Sequence, residues 1–141
     1  MVGPLARPYS QRVVKDKSDP EAPHRALVVE DSDFHRRRLV EIVAKALSGF
    51  EVSEARDVST AIESARRLHP DIVTLDLGLP DGSGLDVLRA IREDGAPTRV
   101  IVVTGQSDPR YRRASMEAGA DEFLDKAHLD QLPALLTETD D

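Results

Sequence analysis

Short apolar runs alternate along the chain with longer segments in which apolar residues recur at every third or fourth position. The short runs are rich in valine and isoleucine, as in buried strands, because β-branched side chains pack well on a pleated sheet. The longer segments have the period of amphipathic helices. The predicted strands cover residues 26–29, 50–55, 72–75, 100–103 and 122–124.

Five helices are predicted between and after these strands, and polar residues mark most of their ends. Ser32 or Asp33 is expected to cap the first helix, and Asp108, directly before Pro109, is expected to cap the fourth. The first helix ends before Gly49, the second runs from a cap at Asp57 or Ser59 to His69, the third includes residues 85–91, the fourth ends at Ala118, and the last covers about 129–137.

Strand and helix therefore alternate five times, and most of the strands are apolar along nearly their whole length. Such strands form parallel sheets that helices cover on both faces, and right-handed crossovers then give a three-layer α/β sandwich. In these folds ligands bind at the carboxyl ends of the strands. Functional residues are therefore expected directly after Val29, Leu75, Val103 and Leu124.

The two ends of the chain differ from its middle in pattern and charge. Residues 1–24 contain four prolines without a sustained period, which predicts a flexible N-terminal extension. The folded domain is expected over residues 25–138, and the tail of residues 139–141 is too short for an output domain. The first 25 residues carry a net charge of +2, so the rest carries −9 of the total of −7. This acidic body repels a nucleic-acid backbone, so no direct nucleic-acid binding is expected.

Composition narrows the class of protein further. Hydrophobic residues make up 40% and charged residues 32% of the chain, as in a soluble globular domain. No apolar run reaches the roughly 18 residues of a membrane span, so no membrane insertion is expected. The chain has no cysteine. Disulfides and thiol chemistry are therefore excluded, and a cytoplasmic location is predicted.

Chemically active side chains follow four of the predicted strands. Glu30 and Asp31 follow the first strand, Asp76 the third, Thr104 the fourth and Lys126 the fifth. Each alone has a plainer interpretation, since an acidic residue after a strand commonly caps the next helix. Together they place carboxylates, a hydroxyl and an ammonium at one sheet edge. Clustered carboxylates favour a hard cation such as Mg²⁺ or Mn²⁺, beside which Asp76 can act as a nucleophile toward phosphorus and form an aspartyl phosphate.

Four parts of the sequence resemble the signatures of two-component response-regulator receivers, in the order of that family. They are the acidic pair Glu30-Asp31 and residues 73–84 (VTLDLGLPDGSG), 102–105 (VVTG) and 119–126 (GADEFLDK). The segment 73–84 is the most specific of these. The resemblance covers about residues 25–136. It implies a flavodoxin-like (βα)5 fold whose five-stranded parallel sheet has the order 2-1-3-4-5.

The resemblance implies roles for the residues at the strand ends. Asp76 corresponds to the phosphoacceptor of the family, and Lys126 to the lysine that binds the phosphoryl group. Glu30 and Asp31 correspond to the acidic pair that holds the metal, with Asp31 as the more direct ligand. Asp76 itself and the backbone carbonyl of Gly78 complete the metal ligands that the resemblance implies.

The resemblance also implies a conformational switch. Thr104 matches the switch hydroxyl and Phe123 the switch aromatic, while Gly78 and Gln106 occupy positions that tune the lifetime of the phosphoryl group. On phosphorylation Thr104 is drawn toward the new oxygens and Phe123 packs into the space it leaves. This is expected to change the surface formed by the fourth helix, the fifth strand and the fifth helix.

The resulting hypothesis is a stand-alone response regulator or relay receiver, without enzymatic activity beyond its own phosphorylation and dephosphorylation. Its expected partners are a histidine kinase or histidine phosphotransfer protein and a downstream protein target, and it is expected to be a monomer or a phosphorylation-dependent dimer. A phosphate-independent interaction domain remains an alternative. An aspartyl-phosphate hydrolase is disfavoured because Gly78 stands where such enzymes carry a second aspartate. The acidic residues 30–33 disfavour a flavin carrier, since they repel a phosphate.

Three local features carry separate predictions. Ala127 follows Lys126 where the family usually has a proline after a cis bond. Without proline a cis bond costs roughly 2.5–4 kcal/mol, so the Lys126–Ala127 bond is predicted to be trans. Residues 35–38 (HRRR) are interpreted as a solvated helical face, or alternatively as a contact for an acidic patch on a phosphoryl donor. The fourth helix has a thin apolar stripe beginning at Tyr111, which indicates loose attachment.

Overall fold

The computed structural model describes residues 23–138; residues 1–22 and 139–141, which hold most of the predicted extension and the tail, lie outside the described residues. Within this range, parallel strands alternate with helices. The strands of the main sheet are β1 (Arg25–Val29), β2 (Glu51–Ala55), β3 (Ile72–Leu75), β4 (Arg99–Thr104) and β5 (Glu122–Asp125). The α-helices are α1 (Asp33–Ala46), α2 (Val58–Leu68), α3 (Gly84–Glu93), α4 (Pro109–Glu117) and α5 (Leu132–Thr137).

The five strands form one parallel sheet in the order β2-β1-β3-β4-β5. This is the flavodoxin-like order that the family resemblance implies, and the fold prediction is therefore confirmed. The register aligns the carboxyl ends of the central strands, because Val29 of β1 lies beside Leu75 of β3, and Leu75 lies beside Val102 of β4. Residues that follow these strands consequently emerge at one edge.

Apolar side chains of alternate strand residues fill two core clusters, one on each face of the sheet. Leu27 and Val29 pack in the cluster beneath α2 and α3. Ala26 and Val28 pack in the opposite cluster, beneath α1 and α5. Full burial of a valine or leucine side chain contributes about 1.5–3 kcal/mol. The sheet is thus a rigid platform for the residues at its edge.

The local signals for helix ends are confirmed at several positions. Ser32 caps α1, Asp57 caps α2, and Asp108 caps α4 directly before Pro109. His69 ends α2 in a left-handed conformation with φ of 49°. The longest described helix is α1, with 14 residues, and no helix within residues 23–138 has the length and apolar character to cross a membrane.

The prediction of a single last helix over about 129–137 is wrong in its first part. A 3-10 helix covers Lys126–Gln131, with His128 in a non-helical conformation, and α5 begins only at Leu132. Pro133 explains the break, because proline has no backbone N–H to donate and is favoured in the first turn of a helix.

The apolar stripe predicted for α4 is also wrong at its first residue. Tyr111 is 41% exposed, whereas Ser115 is fully buried and donates its hydroxyl hydrogen to the carbonyl oxygen of Tyr111 at 2.7 Å. A small residue allows α4 to approach the sheet closely there. Because Ser115 is its only buried residue, α4 is held by little apolar burial, in agreement with the predicted loose attachment.

Candidate functional site

The carboxyl edge of the sheet brings together the acidic residues that follow β1 and β3. The backbone N–H of Asp76 donates to the carbonyl oxygen of Val29 at 3.0 Å, and that of Glu30 donates to Ala55 at 3.0 Å. These bonds continue the parallel ladder past the strand ends. The carboxylates of Glu30 and Asp76 therefore leave the sheet side by side.

Glu30, Asp31 and Asp76 form an acidic cluster, in which one carboxylate oxygen of each residue lies within 4.8 Å of the others. Glu30 is fully buried and Asp76 is 6% exposed, while Asp31 is open to solvent. Burial raises the pKa of Glu30 above its usual value; the contact with Lys126 acts in the opposite direction, and the charge of Asp76 raises it again. Like charges in a partly dehydrated setting favour binding of a cation.

Lys126 reaches the acidic cluster from the end of β5. Its Nζ donates to Asp76 Oδ2 at 2.9 Å and forms a close ion pair with Glu30 Oε1. Burial alone would lower the pKa of the Lys126 ammonium, but its bonds to Glu30 and Asp76 outweigh burial, so that the pKa lies above its usual value. Lys126 is therefore a charged donor at the carboxylate of Asp76.

The backbone after Lys126 is trans at Ala127, as predicted, since no bond among the described residues is cis. Asp125 stabilises this turn because its Oδ1 accepts a hydrogen bond from the N–H of Ala127 at 2.8 Å. A side-chain cap and a 3-10 turn thus aim Lys126 at Asp76 without the proline that the family usually has at this position.

The loop after Asp76 folds back as a small antiparallel hairpin, in which Gly78–Leu79 pairs with Gly82–Ser83. The N–H of Gly78 donates to Asp76 Oδ1 at 3.3 Å. Gly84, at the start of α3, approaches so closely that a Cβ there would lie 2.1 Å from the carbonyl oxygen of Asp76. Only glycine fits at that position, which explains part of the motif over residues 73–84.

Thr104 and Gln106 flank the same edge from β4. Thr104 is fully buried, and its Oγ1 accepts a hydrogen bond from the N–H of Gln106 at 3.3 Å. The Nε2 atom of Gln106 lies 3.3 Å from the place where a side chain at Gly78 would begin. The two positions predicted to tune phosphoryl lifetime are therefore neighbours in space.

Phe123 lies in β5, three residues before Lys126, and is packed in the core cluster beneath α2 and α3 rather than in the acidic cluster. The ring of Phe123 points into this core cluster, and the residue is 9% exposed. The guanidinium carbon of Arg112 lies 5.1 Å from the ring centroid, and Arg112 Nη2 donates to the carbonyl oxygen of Phe123 at 3.4 Å. This cation–π contact links α4 to β5.

Arg36 corrects the interpretation of residues 35–38 as a solvated face. Its side chain is only 9% exposed, and its Nη1 donates to the carbonyl oxygen of Glu30 at 3.0 Å. The other two arginines of the run are exposed, as expected. The sequence contains a signal for this arrangement, since Arg36 occupies the first turn of a helix that begins directly after the acidic pair.

His35 also lies at the site, which its lack of metal-ligand spacing did not indicate. Its Nδ1 is 3.5 Å from Lys126 Nζ and 3.9 Å from Glu30 Oε1. His35 and Lys126 are distant in the chain, and only the fold brings Lys126, at the end of β5, to this histidine. His35 therefore forms part of the wall of the site.

The acidic cluster fits a hard metal ion by its donor set. Glu30 Oε1 is buried and has the ammonium of Lys126 as its close partner. Carboxylate oxygens from three residues, one of them exposed, match a cation that takes oxygen ligands and keeps part of its water shell. The residues that would hold such an ion are therefore Glu30, Asp31 and Asp76.

Comparison with known proteins decides the family. The sequence profile of the response regulator receiver domain matches residues 26–137. The chain belongs to the response-regulator receiver family. This receiver is 33% identical over 104 residues to the chemotaxis protein CheY of Bacillus subtilis, and the match covers 73% of this chain and 85% of CheY. The receiver fold also matches the solved response regulator domain of Thermotoga maritima CheB, with a TM-score of 0.70 and 31% identity over 82% of this chain and 91% of that one.

Several relatives of the receiver are longer proteins. The probable transcriptional regulatory protein TcrX of Mycobacterium tuberculosis is 40% identical over 106 residues, which cover 74% of this chain and 44% of TcrX. The receiver spans about half the length or less of the first curated relatives that it matches. These matches establish two-component signalling as the setting of the receiver.

Proposed function

We propose that this receiver accepts a phosphoryl group on Asp76, in a reaction that depends on Mg²⁺ or Mn²⁺. The donor is the phosphohistidine of a histidine kinase or of a phosphotransfer protein. One observation carries the proposal: Lys126 Nζ lies 2.9 Å from Asp76 Oδ2, beside an acidic cluster of three carboxylates. Membership of the receiver family supports it.

The chemistry requires a carboxylate nucleophile and neutralised phosphoryl oxygens. An oxygen of Asp76 forms a P–O bond as the P–N bond to the donor histidine breaks, and the histidine keeps that electron pair. The ammonium of Lys126 and the hydroxyl of Thr104 donate to the phosphoryl oxygens. A bound Mg²⁺ supplies further neutralisation of these oxygens. The groups that would hold it are Asp31, Glu30, Asp76 and the Gly78 carbonyl.

The lifetime of the phosphoryl group depends on access of water to Asp76. Gly78 leaves space beside the acidic residue, and the amide of Gln106 lies against that space. We assign to Gln106 the control of this access. Hydrolysis then breaks the same P–O bond and returns the carboxylate.

The phosphorylated state is proposed to act through the surface of α4, β5 and α5. Once the hydroxyl of Thr104 is bound to a phosphoryl oxygen, it no longer accepts the hydrogen bond from the N–H of Gln106. The loop before α4 therefore rearranges. Because Arg112 contacts the ring and the carbonyl of Phe123, movement of α4 is transmitted to β5. The weak burial of α4 supports such mobility.

The output is proposed to be contact with a downstream protein target, through a receiver that acts on its own in the cytoplasm. The match covers 85% of the chemotaxis protein CheY of Bacillus subtilis and 44% of TcrX. Regulation rather than turnover of a small substrate is the general property of the family. A pull-down with wild type and Asp76→Asn, each treated with a phosphoryl donor, identifies partners that bind only the phosphorylated form.

Intact mass spectrometry tests the phosphoacceptor directly. Incubation with acetyl phosphate and Mg²⁺ is expected to add the mass of one phosphoryl group to the wild-type chain. Chelation of the metal, or the substitution Asp76→Ala, is expected to prevent this gain. Asp31→Ala should slow it strongly, while Asp130→Ala, an exposed residue of the 3-10 helix, should leave it unchanged. A chain that is modified equally well without Asp76 would contradict the proposal.

A further inference from the structure

Arg36 lies behind the acidic pair and is almost completely buried, although its neighbours in the arginine run are exposed. Its Nη1 donates to the carbonyl oxygens of Glu30, at 3.0 Å, and of Asp31, at 3.5 Å. These are the backbone groups of the two residues whose carboxylates point into the acidic cluster. One guanidinium nitrogen thus spans the backbone of both candidate metal ligands.

The charge of Arg36 is neutralised by carboxylates outside the acidic cluster. Its Nε donates to Glu54 Oε1 of β2 at 3.0 Å, and its Nη2 donates to Asp33 Oδ1 in the first turn of α1. Asp33 Oδ1 also lies 3.5 Å from Arg56 Nη2. Arg36 therefore binds the two carbonyls while its charge is balanced by Asp33 and Glu54 and not by the carboxylates of the site.

The geometry points to Arg36 as a positioning residue for the cation that the proposed function requires. Its fork of donors fixes the backbone of Glu30 and Asp31 against α1 and β2, and so holds the two carboxylates at the separation seen in the acidic cluster. This inference rests on the proposed metal-dependent function. Lysine cannot replace arginine in this role, because a single ammonium lacks the planar fork that reaches several acceptors at once.

A buried arginine at the amino ends of the strands, Arg92, can be compared with Arg36. Arg92 is another nearly buried arginine, and it donates to the carbonyl oxygens of Gly119 and Thr98 at 3.0 and 2.7 Å. Arg92 stabilises the fold but lies at the amino ends of the strands, away from the acidic cluster. The same substitution at Arg36 and at Arg92 therefore separates a general loss of stability from a specific loss of cation binding.

Titration with MgCl₂, followed by the amide chemical shift of Gly78 at a temperature where every variant is folded, tests the inference. Arg36→Lys keeps the charge and is expected to weaken Mg²⁺ binding by about 10- to 100-fold, the usual effect of removing a group that orients metal ligands. Arg37→Lys, an exposed neighbour on α1, is expected to leave the dissociation constant unchanged. Arg92→Lys is expected to lower the midpoint of urea unfolding and to leave the dissociation constant unchanged.

The dissociation constants of these variants decide whether Arg36 positions the metal ligands. If Arg36→Lys binds Mg²⁺ like wild type, the positioning role is wrong while the proposed function stands. Equal weakening in Arg92→Lys also overturns it, since the effect then follows stability alone. A wild-type chain that binds no Mg²⁺ overturns both proposals. If Arg36→Lys does not fold, Glu54→Ala replaces it: the side chain of Glu54 is 52% exposed, and its loss should weaken Mg²⁺ binding by a smaller factor, whereas no change refutes the role.

Discussion

The amino ends and the carboxyl ends of the strands, called here the amino edge and the carboxyl edge of the sheet, both contain buried charges. The partners of these charges differ between the two edges. At the amino edge, Arg92 pairs with Asp121, and each of the two also bonds to backbone groups. Arg92 donates to carbonyl oxygens of two loops, and Asp121 Oδ2 accepts the N–H of Val100 at 2.8 Å. Opposite charges and backbone partners are matched there, which is how buried ionic groups become structural.

At the carboxyl edge the balance is different. The buried carboxylates of Glu30 and Asp76 share one ammonium, that of Lys126, and the exposed carboxylate of Asp31 adds further negative charge. Clustered like charges oppose folding, and the same clustering favours the binding of a cation. The amino edge therefore stabilises the fold, whereas the carboxyl edge has an excess of negative charge that fits a bound cation. Substitutions should therefore separate stability from phosphorylation.

The largest effect on stability is expected from Arg92→Met. It breaks the buried ion pair with Asp121 and removes the bonds of Arg92 to the carbonyl oxygens of Gly119 and Thr98, and breaking a buried pair costs about 3–5 kcal/mol in the free energy of unfolding. Urea unfolding measures this change. Phosphorylation by acetyl phosphate, followed by intact mass, should remain at the wild-type level wherever the variant is folded. Arg89→Met, on the exposed face of α3, is the control and should change stability by no more than about 0.5 kcal/mol. A folded Arg92→Met that cannot be phosphorylated would break the contrast between the edges.

Gly84→Ala tests how closely the carboxyl edge is packed. The added Cβ would lie 2.1 Å from the carbonyl oxygen and 2.9 Å from the carbonyl carbon of Asp76, so the backbone must shift. Overpacking of this kind costs about 1–3 kcal/mol in the free energy of unfolding, and it should also slow phosphorylation because Asp76 moves. Gly105→Ala is the control, since its nearest atom is Lys126 Cδ at 4.0 Å. Equal stability of both variants in urea would show that the loop adjusts freely.

Magnesium should stabilise the carboxyl edge specifically. At ten times its dissociation constant, a ligand that binds only the folded state adds about 1.4 kcal/mol to the free energy of unfolding. This increment should disappear in Asp31→Asn and persist in Arg92→Met. Thermal unfolding with MgCl₂, with NaCl of the same ionic strength as control, measures it. Should Asp31→Asn gain as much stability from MgCl₂ as wild type, the acidic cluster is not the cation site.

The parts of the fold that were predicted correctly depend on short-range signals. Strand positions follow from runs of valine and isoleucine, and Ser32, Asp57 and Asp108 act as caps because each bonds within its own turn. The convergence of Asp76 and Lys126 also follows, since parallel strands end at one edge. Both predictions need only the local period and the topology of the sheet.

The parts that were missed depend on partners distant in the chain. In the sequence nothing distinguishes Arg36 from the other arginines of its charged run. Only the fold places Glu54 of β2 beside it. His35 likewise becomes part of the site only through Lys126. Tyr111 fits an apolar stripe by spacing, but the rotation of α4 against β5 buries Ser115 instead. Periodicity does not fix such a rotation when a helix has few apolar residues.

A smaller effect is expected where the carboxyl edge is tied to α2. Asp81, at the turn of the hairpin after Asp76, accepts hydrogen bonds from the N–H groups of Val58 at 2.7 Å and Ser59 at 3.1 Å. These bonds, chiefly that from Val58, hold the pKa of Asp81 below its usual value. Because the folded state favours the ionised carboxylate, this stabilisation is fully present above the ordinary aspartate pKa. It is lost as the pH falls through the lower pKa of the folded state.

Asp81→Asn should therefore unfold at a lower temperature than wild type near neutral pH, because an uncharged amide oxygen accepts these bonds more weakly. The difference between the two melting temperatures should shrink as the pH falls through the pKa of Asp81, since wild type then also loses its charge. Asp130→Asn, at an exposed position of the 3-10 helix, should follow wild type at every pH. A difference that stays constant at all pH values would mean that the charge of Asp81 does not tie the hairpin to α2, leaving the carboxyl edge held by the backbone packing at Gly84.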